Sequence, residues 1–251
     1  MRGPLSYLGG KTRLAARIIS RIPDHLTYVE PFAGGAQIFF RKPPSKVEVL
    51  NDLDHEVITF YRVCQLHHNE LIRYMRHTIA SREWFSLHQK TDPLSLTDVQ
   101  RAARFLYLLK NAFASRIVRQ NYKYAVIARP NFNPDEIPAM IERTHQRLAR
   151  VQLECLPYEQ ILSKFDRPTT FFYCDPPYFE KPLYKYNFSE ADYKLLAERL
   201  ASLKGKFLLS LNDTPQVRRI FSSFHAAQVS LAYSSHRKTG LRFSELLISN
   251  Y

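Results

Sequence analysis

Strand signals in this chain fall into two blocks, and a long stretch of helical periodicity separates them. Thr27 to Phe32 reads as a short buried strand ending at Gly34-Gly35, and Lys46 to Leu50 as a second ending at Asn51-Asp52. From about Thr59 to Arg150 apolar residues recur at helical spacing, as in Val57, Phe60, Tyr61 and Cys64, then Leu71, Tyr74 and Met75. Strand signals resume at Val151 to Cys155, Thr169 to Cys174 and Phe207 to Leu211. Strands separated by helices build a parallel sheet. The pattern predicts an open α/β domain made of residues 1–58 and 151–251, interrupted by a mostly helical insert over 59–150.

Local signals fill in this outline. Thr12 to Ile22 is expected as a helix, and Ala36 to Arg41 as the opening of another. Thr97 with Gln100 fits a capping box, behind which Val99, Ala102, Ala103, Leu106, Leu109 and Phe113 share one helix face. Asn121 to Pro134 is irregular, and Asp135 to Arg150 is helical again. Ser189 caps a helix running to Leu203. Gln228 to Ser234 and Glu245 to Asn250 are expected to pair antiparallel around a basic loop, His236 to Gly240.

With 251 residues, 45% hydrophobic and 13% aromatic, the chain can bury a large core and is not a disordered one. A net charge of +13 favours a polyanionic partner. Cys64, Cys155 and Cys174 have neither disulfide nor zinc spacing, which fits a reducing cytoplasm. No leader and no bilayer-spanning run is expected.

The most informative tetrapeptide is Asp175-Pro176-Pro177-Tyr178, directly after the apolar run Phe171 to Cys174. Ligands of open parallel sheets sit beyond the carboxyl ends of the strands. Two prolines fix φ twice and offer carbonyls without competing N–H donors. A conjugated exocyclic amine, such as N6 of adenine, is a poor nucleophile. Two acceptors aimed at its hydrogens pull the nitrogen toward a tetrahedral shape and free its lone pair. The Asp175 carboxylate and Pro176 carbonyl form such a pair, and the Tyr178 ring can stack on a base. The plain alternative is a Pro-Pro turn with an incidental Asp.

Glu30 to Ala36 closes the first strand with paired glycines, which let backbone approach a bulky ligand. Asp52 ends the next strand about twenty residues on, where an acid accepts ribose hydroxyls in dinucleotide-type folds. Asp52 or Asp54 as a simple helix cap is the competing reading. Lys11, after Gly9-Gly10, suits the carboxylate of an amino-acid moiety or simply a solvated helix start.

Taken in order, these residues resemble the Dam-type, D12 class of N6-adenine DNA methyltransferases. The likeness runs almost end to end. It rests on Gly9-Gly10-Lys11, Glu30 to Gly35, Asn51-Asp52, the Asp175 to Tyr178 corner and the closing Glu245 to Tyr251. The resemblance implies a Rossmann-like fold, S-adenosylmethionine as cofactor without a metal, and a helical target-recognition insert with a β-hairpin. It further implies a double-stranded DNA partner, a monomer, and a place in DNA methylation of the restriction-modification kind. Tyr7, Lys11, Pro31, Phe32, Gly34, Asp52 and Asp175 match the cofactor contacts, and Asp175, Pro176, Pro177 and Tyr178 the target-adenine site. Two departures stand out. Leu156-Pro157-Tyr158 replaces the Asp-Phe pair that many members carry, and Ser6 with Ala114-Ser115 replaces residues found in GATC readers.

No acidic residue lies between Asp98 and Asp135. Within that stretch Lys110, Arg116, Arg119, Tyr122, Lys123 and Arg129 are the candidate DNA contacts, phosphate contact and base-edge readout interleaved. Arg101 and Arg104, at the start of the helix, are expected only to keep it soluble. Methylation of RNA adenine by the same corner, and an inactive nucleic-acid-binding relative, remain open alternatives.

Overall fold

The computed structural model describes residues 1–5, 11–113, 118, 120–124, 132–181, 184–232 and 242–251. Seven strands among them form one sheet: β1 (Thr27–Glu30), β2 (Val47–Asn51), β3 (Gln152–Glu154), β4 (Thr170–Cys174), β5 (Lys206–Asn212), β6 (His225–Ala232) and β7 (Arg242–Ser249). Their order is β3-β2-β1-β4-β5-β7-β6. The first five run parallel, while β7 is antiparallel to both β5 and β6. Strand order reverses between β1 and β4, the switch point at which such Rossmann-like sheets leave a crevice. Glu30 ends β1 there, and Asp175 follows β4.

Both faces of the sheet are covered, which explains the continuous apolar strands. Val29, Phe172, Cys174 and Leu209 pack with helices α7 (Tyr158–Phe165), α8 (Glu190–Ala201) and α9 (Pro215–Ile220). Tyr28, Leu50, Phe171 and Leu208 face the other way. That second cluster continues without a break into helices α2 (His55–Leu66), α3 (His68–Met75), α4 (Arg82–Lys90), α5 (Asp98–Asn111) and α6 (Ile137–Leu148) through Phe60, Leu71, Phe85, Leu106 and Ile141. A buried ion pair adds a polar bolt: Arg147 of α6 meets Glu48 of β2 at 2.5 Å, and Lys42 meets the same carboxylate at 2.6 Å. Burial opposes ionisation of Glu48, yet Arg147 and Lys42 hold its pKa below the ordinary range.

α5 starts with the expected Thr97–Gln100 capping box and buries Ala102, Ala103, Leu106 and Leu109. Phe113 lies beyond its end and is 57% exposed. Ala112 and Tyr122 form an antiparallel bridge, and residues 114–117 and 119 between them lie outside the described residues. The N-terminal helix is shorter than expected, a 3-10 turn at Lys11–Arg13 followed by α1 (Ala15–Ile19). Between β1 and β2, 36–41 forms successive turns and no helix. Gly34 and Ala36 there take left-handed φ values of 45° and 46°, incompatible with a helix start. The loop at His236 to Gly240 lies outside the described residues.

Candidate active site

A cavity of about 560 Å³ opens at the switch point, of the size that holds a nucleoside-sized ligand. The turn after β1 supplies Pro31, Phe32 and Gly34, the end of β2 supplies Asp52, and the end of β4 supplies Asp175 and Pro177. Lys11 lines it as well. Of the residues named from the sequence for this site, Tyr7 lies outside the described residues.

Asp52 sits deep in this cavity. The backbone N–H groups of Gly34 and Asp54 donate to its two oxygens at 2.7 and 2.8 Å. Burial nevertheless pushes its carboxyl from 3.8 up to about 6. A carboxylate so placed gains from further donors, which a ribose diol supplies. Its neighbour Asp54 is the helix cap, accepting from Glu56 N–H at the start of α2 and pairing with Lys185 at 3.2 Å. The helix-cap role therefore falls to Asp54, while Asp52 lines the cavity.

At one end of the cavity three aromatic rings close on one another. Phe32 lies 5.2 Å from Tyr158 and 5.8 Å from Phe188, and Tyr158 lies 5.7 Å from Phe188. Flat apolar faces of this kind suit a purine. Pro157 occupies the place of the family's acid, but Glu159 and Asp192 are among the residues that line the cavity. Asp192 is engaged with the backbone and hydroxyl of Ser189 as the cap of α8. Glu159 has no hydrogen-bond or ion-pair partner among the described residues.

The corner after β4 is tied into a polar cluster. The Lys11 ammonium donates to Asp175 Oδ1 at 2.6 Å and to the Tyr178 hydroxyl at 2.9 Å. Tyr178 in turn donates to Glu245 Oε1 at 2.6 Å, and Ser210 Oγ donates to Asp175 Oδ1 at 3.2 Å. Far from being a solvated helix-start residue, Lys11 is 3% exposed. Burial alone would lower its pKa, but Asp175, Tyr178 and Glu245 raise it well above the ordinary lysine value. Burial also raises the Glu245 carboxyl, against the pull of Lys11. Pro176 is buried, and its carbonyl accepts no hydrogen bond from the described residues, whereas the Pro177 carbonyl is taken by the Tyr193 hydroxyl. Glu245 and Ser210 were not singled out for a role from the sequence. Both come from strands, β7 and β5, whose pairing aligns Glu245 with Asn212. The available signal was a lone acid opening the apolar run Leu246 to Ile248.

On the insert, Lys110 is half-buried in the last turn of α5, and burial lowers its pKa. The Tyr122 ring packs edge-on against Phe85 at 5.5 Å, while Tyr124 beside it is 62% exposed. The Lys123 backbone N–H donates to the Asn111 carbonyl at 2.8 Å, and the residue is half-exposed. Arg116, Arg119 and Arg129 lie outside the described residues. Arg101 and Arg104 do more than solubilise α5. Arg101 meets Glu56 of α2 at 2.5 Å, and Arg104 Nε donates to the His88 carbonyl at 2.6 Å.

The sequence profile of the D12 class of N6 adenine-specific DNA methyltransferases matches residues 7–235. The chain belongs to this family. The methyltransferase is 25% identical over 271 residues to a DNA adenine methylase of Salmonella typhi, covering 98% of this chain and 94% of that one. A type II methyltransferase of Lactococcus lactis subsp. cremoris is 26% identical over 274 residues, with the same coverage. One from Paramecium bursaria Chlorella virus NC1A is 24% identical over 265 residues and covers both chains fully. The solved structure of SMU.472 complexed with SAH aligns with a TM-score of 0.47 at 12% identity, over all of this chain and 55% of that one. The protein is thus an enzyme that methylates N6 of adenine in DNA with S-adenosylmethionine as its cofactor. No helix among the described residues is long and apolar enough to cross a membrane.

Proposed function

We propose that the methyltransferase acts on one adenine of a short duplex sequence, extruded from the helix into the corner formed by Asp175, Pro176, Pro177 and Tyr178. The observation that carries this reading is the position of Asp175. Its carboxylate lies at the carboxyl end of β4, on the wall of the cavity and bonded to a buried ammonium.

The donor set of the cavity fits S-adenosylmethionine. Asp52 accepts the ribose hydroxyls, and Phe32, Tyr158 and Phe188 enclose the purine. Glu159 takes the purine amine that the family's acid takes elsewhere. Bound there, the cofactor supplies an electrophilic methyl group on a sulfonium. Asp175 and the Pro176 carbonyl accept the two N6 hydrogens of the target and localise its lone pair. With its lone pair so freed N6 could take that methyl group, and the proton it then sheds would be held at Asp175 before passing to solvent. Tyr178 offers its ring to the extruded base, compensating part of the stacking lost. Alignment and exclusion of water supply the remaining acceleration.

Duplex binding falls to the insert, with Lys110, Lys123 and Tyr124 beside the Ala112–Tyr122 bridge. If six phosphates are neutralised, log affinity falls with log salt at a slope of about −5.

Methylation mapping tests the reading. The protein is produced in a host lacking adenine methylation, and the genomic DNA is sequenced by a method that detects N6-methyladenine. Methylated adenines confined to one short motif are expected. A genome without new methyladenine, from cells holding folded protein, would remove duplex DNA as the substrate and leave RNA as the acceptor to test.

A further inference from the structure

The carboxylate assigned to the target amine already holds a cation. Lys11 Nζ sits 2.6 Å from Asp175 Oδ1, and Ser210 donates to the same oxygen. In methyl transfer, positive charge develops on the adenine N6. An ammonium bonded to the accepting carboxylate weakens its pull on N6 and repels that charge. The resting arrangement is therefore a poor one for the transition state.

An alternative partner for the ammonium stands close by. Glu245 Oε2 is buried, accepts no hydrogen bond, and lies 3.7 Å from Lys11 Nζ. A movement of about 1 Å brings the two into hydrogen-bonding distance. The Tyr178 hydroxyl lies between the two groups, accepting from Lys11 and donating to Glu245 Oε1. A buried acceptor without a donor is costly, and here the cost is recovered if the ammonium reaches it.

We propose that Glu245 is a positioning residue for methyl transfer, drawing the Lys11 ammonium off Asp175 as the target amine arrives, a role that rests on Asp175 being the acceptor of that amine. Before the base enters, Lys11 fills the donor's place on Asp175. Afterwards Lys11 pairs with Glu245, and Asp175 is fully available to N6.

The test is a double-variant cycle on unmethylated genomic DNA at saturating cofactor, comparing Glu245→Gln, Lys11→Met and the two combined. Glutamine retains an acceptor for Tyr178 but loses the negative charge. Glu245→Gln is expected to lower kcat about a hundredfold. KM for DNA, and the calorimetric affinity for S-adenosylhomocysteine, should stay within about threefold. With the ammonium removed Glu245 has nothing left to draw away, so the combined variant should match Lys11→Met and exceed Glu245→Gln. A combined variant that falls to the product of the two single losses overturns the proposal. Should Lys11→Met fail to fold on thermal melting, Tyr178→Phe decides. If Glu245 merely anchors that ring, Tyr178→Phe loses at least as much kcat as Glu245→Gln, and the proposal fails; under the proposal it loses about tenfold less. A wild-type protein that transfers no methyl to DNA overturns the assignment of Asp175 together with this one. An active wild type with a fully active Glu245→Gln overturns this one alone.

Discussion

The corner after β4 and the exposed edge of the insert both carry charge, but they carry it in opposite ways. Asp175 and Tyr178, Lys11, and Glu245 come from three separate parts of the chain and bond one another within a largely buried cluster. Lys123 and Tyr124 are neighbours in sequence nearer the surface: Lys123 is half-exposed, and Tyr124 is 62% exposed with its hydroxyl accepting from Arg82. The contrast fits the tasks proposed for the two regions. A group that must stabilise charge on one atom gains from a dry, fixed setting. A group that meets phosphate gains from remaining in water, where long-range attraction and counterion release do the work.

The largest effect should separate the two regions outright. Asp175→Ala is expected to lower methyl transfer by at least about a thousandfold while duplex affinity changes less than about threefold, checked by methyl incorporation and filter binding. Equal losses in both would break the comparison. Next comes the cofactor wall. Asp52→Ala should weaken cofactor binding about thirtyfold by calorimetry, with kcat at saturation nearly kept. Because burial holds the Asp52 carboxyl near 6 and ribose donors favour its ionised form, wild-type affinity should be full above pH 6. Below that it should fall as the group protonates, approaching tenfold per pH unit, and Asp52→Asn should flatten this dependence. The sign reverses for stability of the unliganded protein, which declines as pH rises from 3.8 through 6 and Asp52 ionises.

A smaller effect is expected on the insert. Lys123→Ala should weaken duplex binding a few-fold for all sequences alike and reduce the salt slope by about 1, leaving kcat unchanged. Smallest of all in function, Arg101→Ala should leave duplex affinity within about twofold. It should cost about 2 kcal/mol of stability, since Glu56 then loses its near partner in a half-buried setting. A large loss of DNA binding by Arg101→Ala would move that residue to the other side of the comparison.

Much of this was legible in the sequence, for a physical reason. Strands covered on both faces must be apolar throughout, so β1, β2, β4 and β5 announced themselves, and the acids at their ends pointed to the crevice. The short α7 and α9, entered at Pro157 and Pro215, carry too few turns for a periodicity to show. The helix expected after Ala36 failed because two backbone dihedrals in the left-handed region outweighed a favourable side-chain pattern. The meeting of Lys11 with Glu245 was hidden for another reason. Their meeting depends on where β7 pairs with β5 and how the N-terminal turn folds over the sheet, neither of which is encoded in nearby residues. Arg101 and Arg104 misled because a basic helix start has the same appearance whether it faces water or a buried Glu56.

The unbroken apolar cluster from the sheet into the insert has a consequence for how such an enzyme can change its target. A cassette exchanged at residues 59 and 150 would sever α2 within its first turn and a half and leave Phe60, Leu106 and Ile141 against a foreign surface. Recognition in this molecule is better pictured as relief carved on a shared foundation. If duplex binding falls where proposed, new specificities are expected from altering the outermost residues around the Ala112–Tyr122 bridge, one side chain at a time, because the helices beneath share one apolar cluster with the sheet.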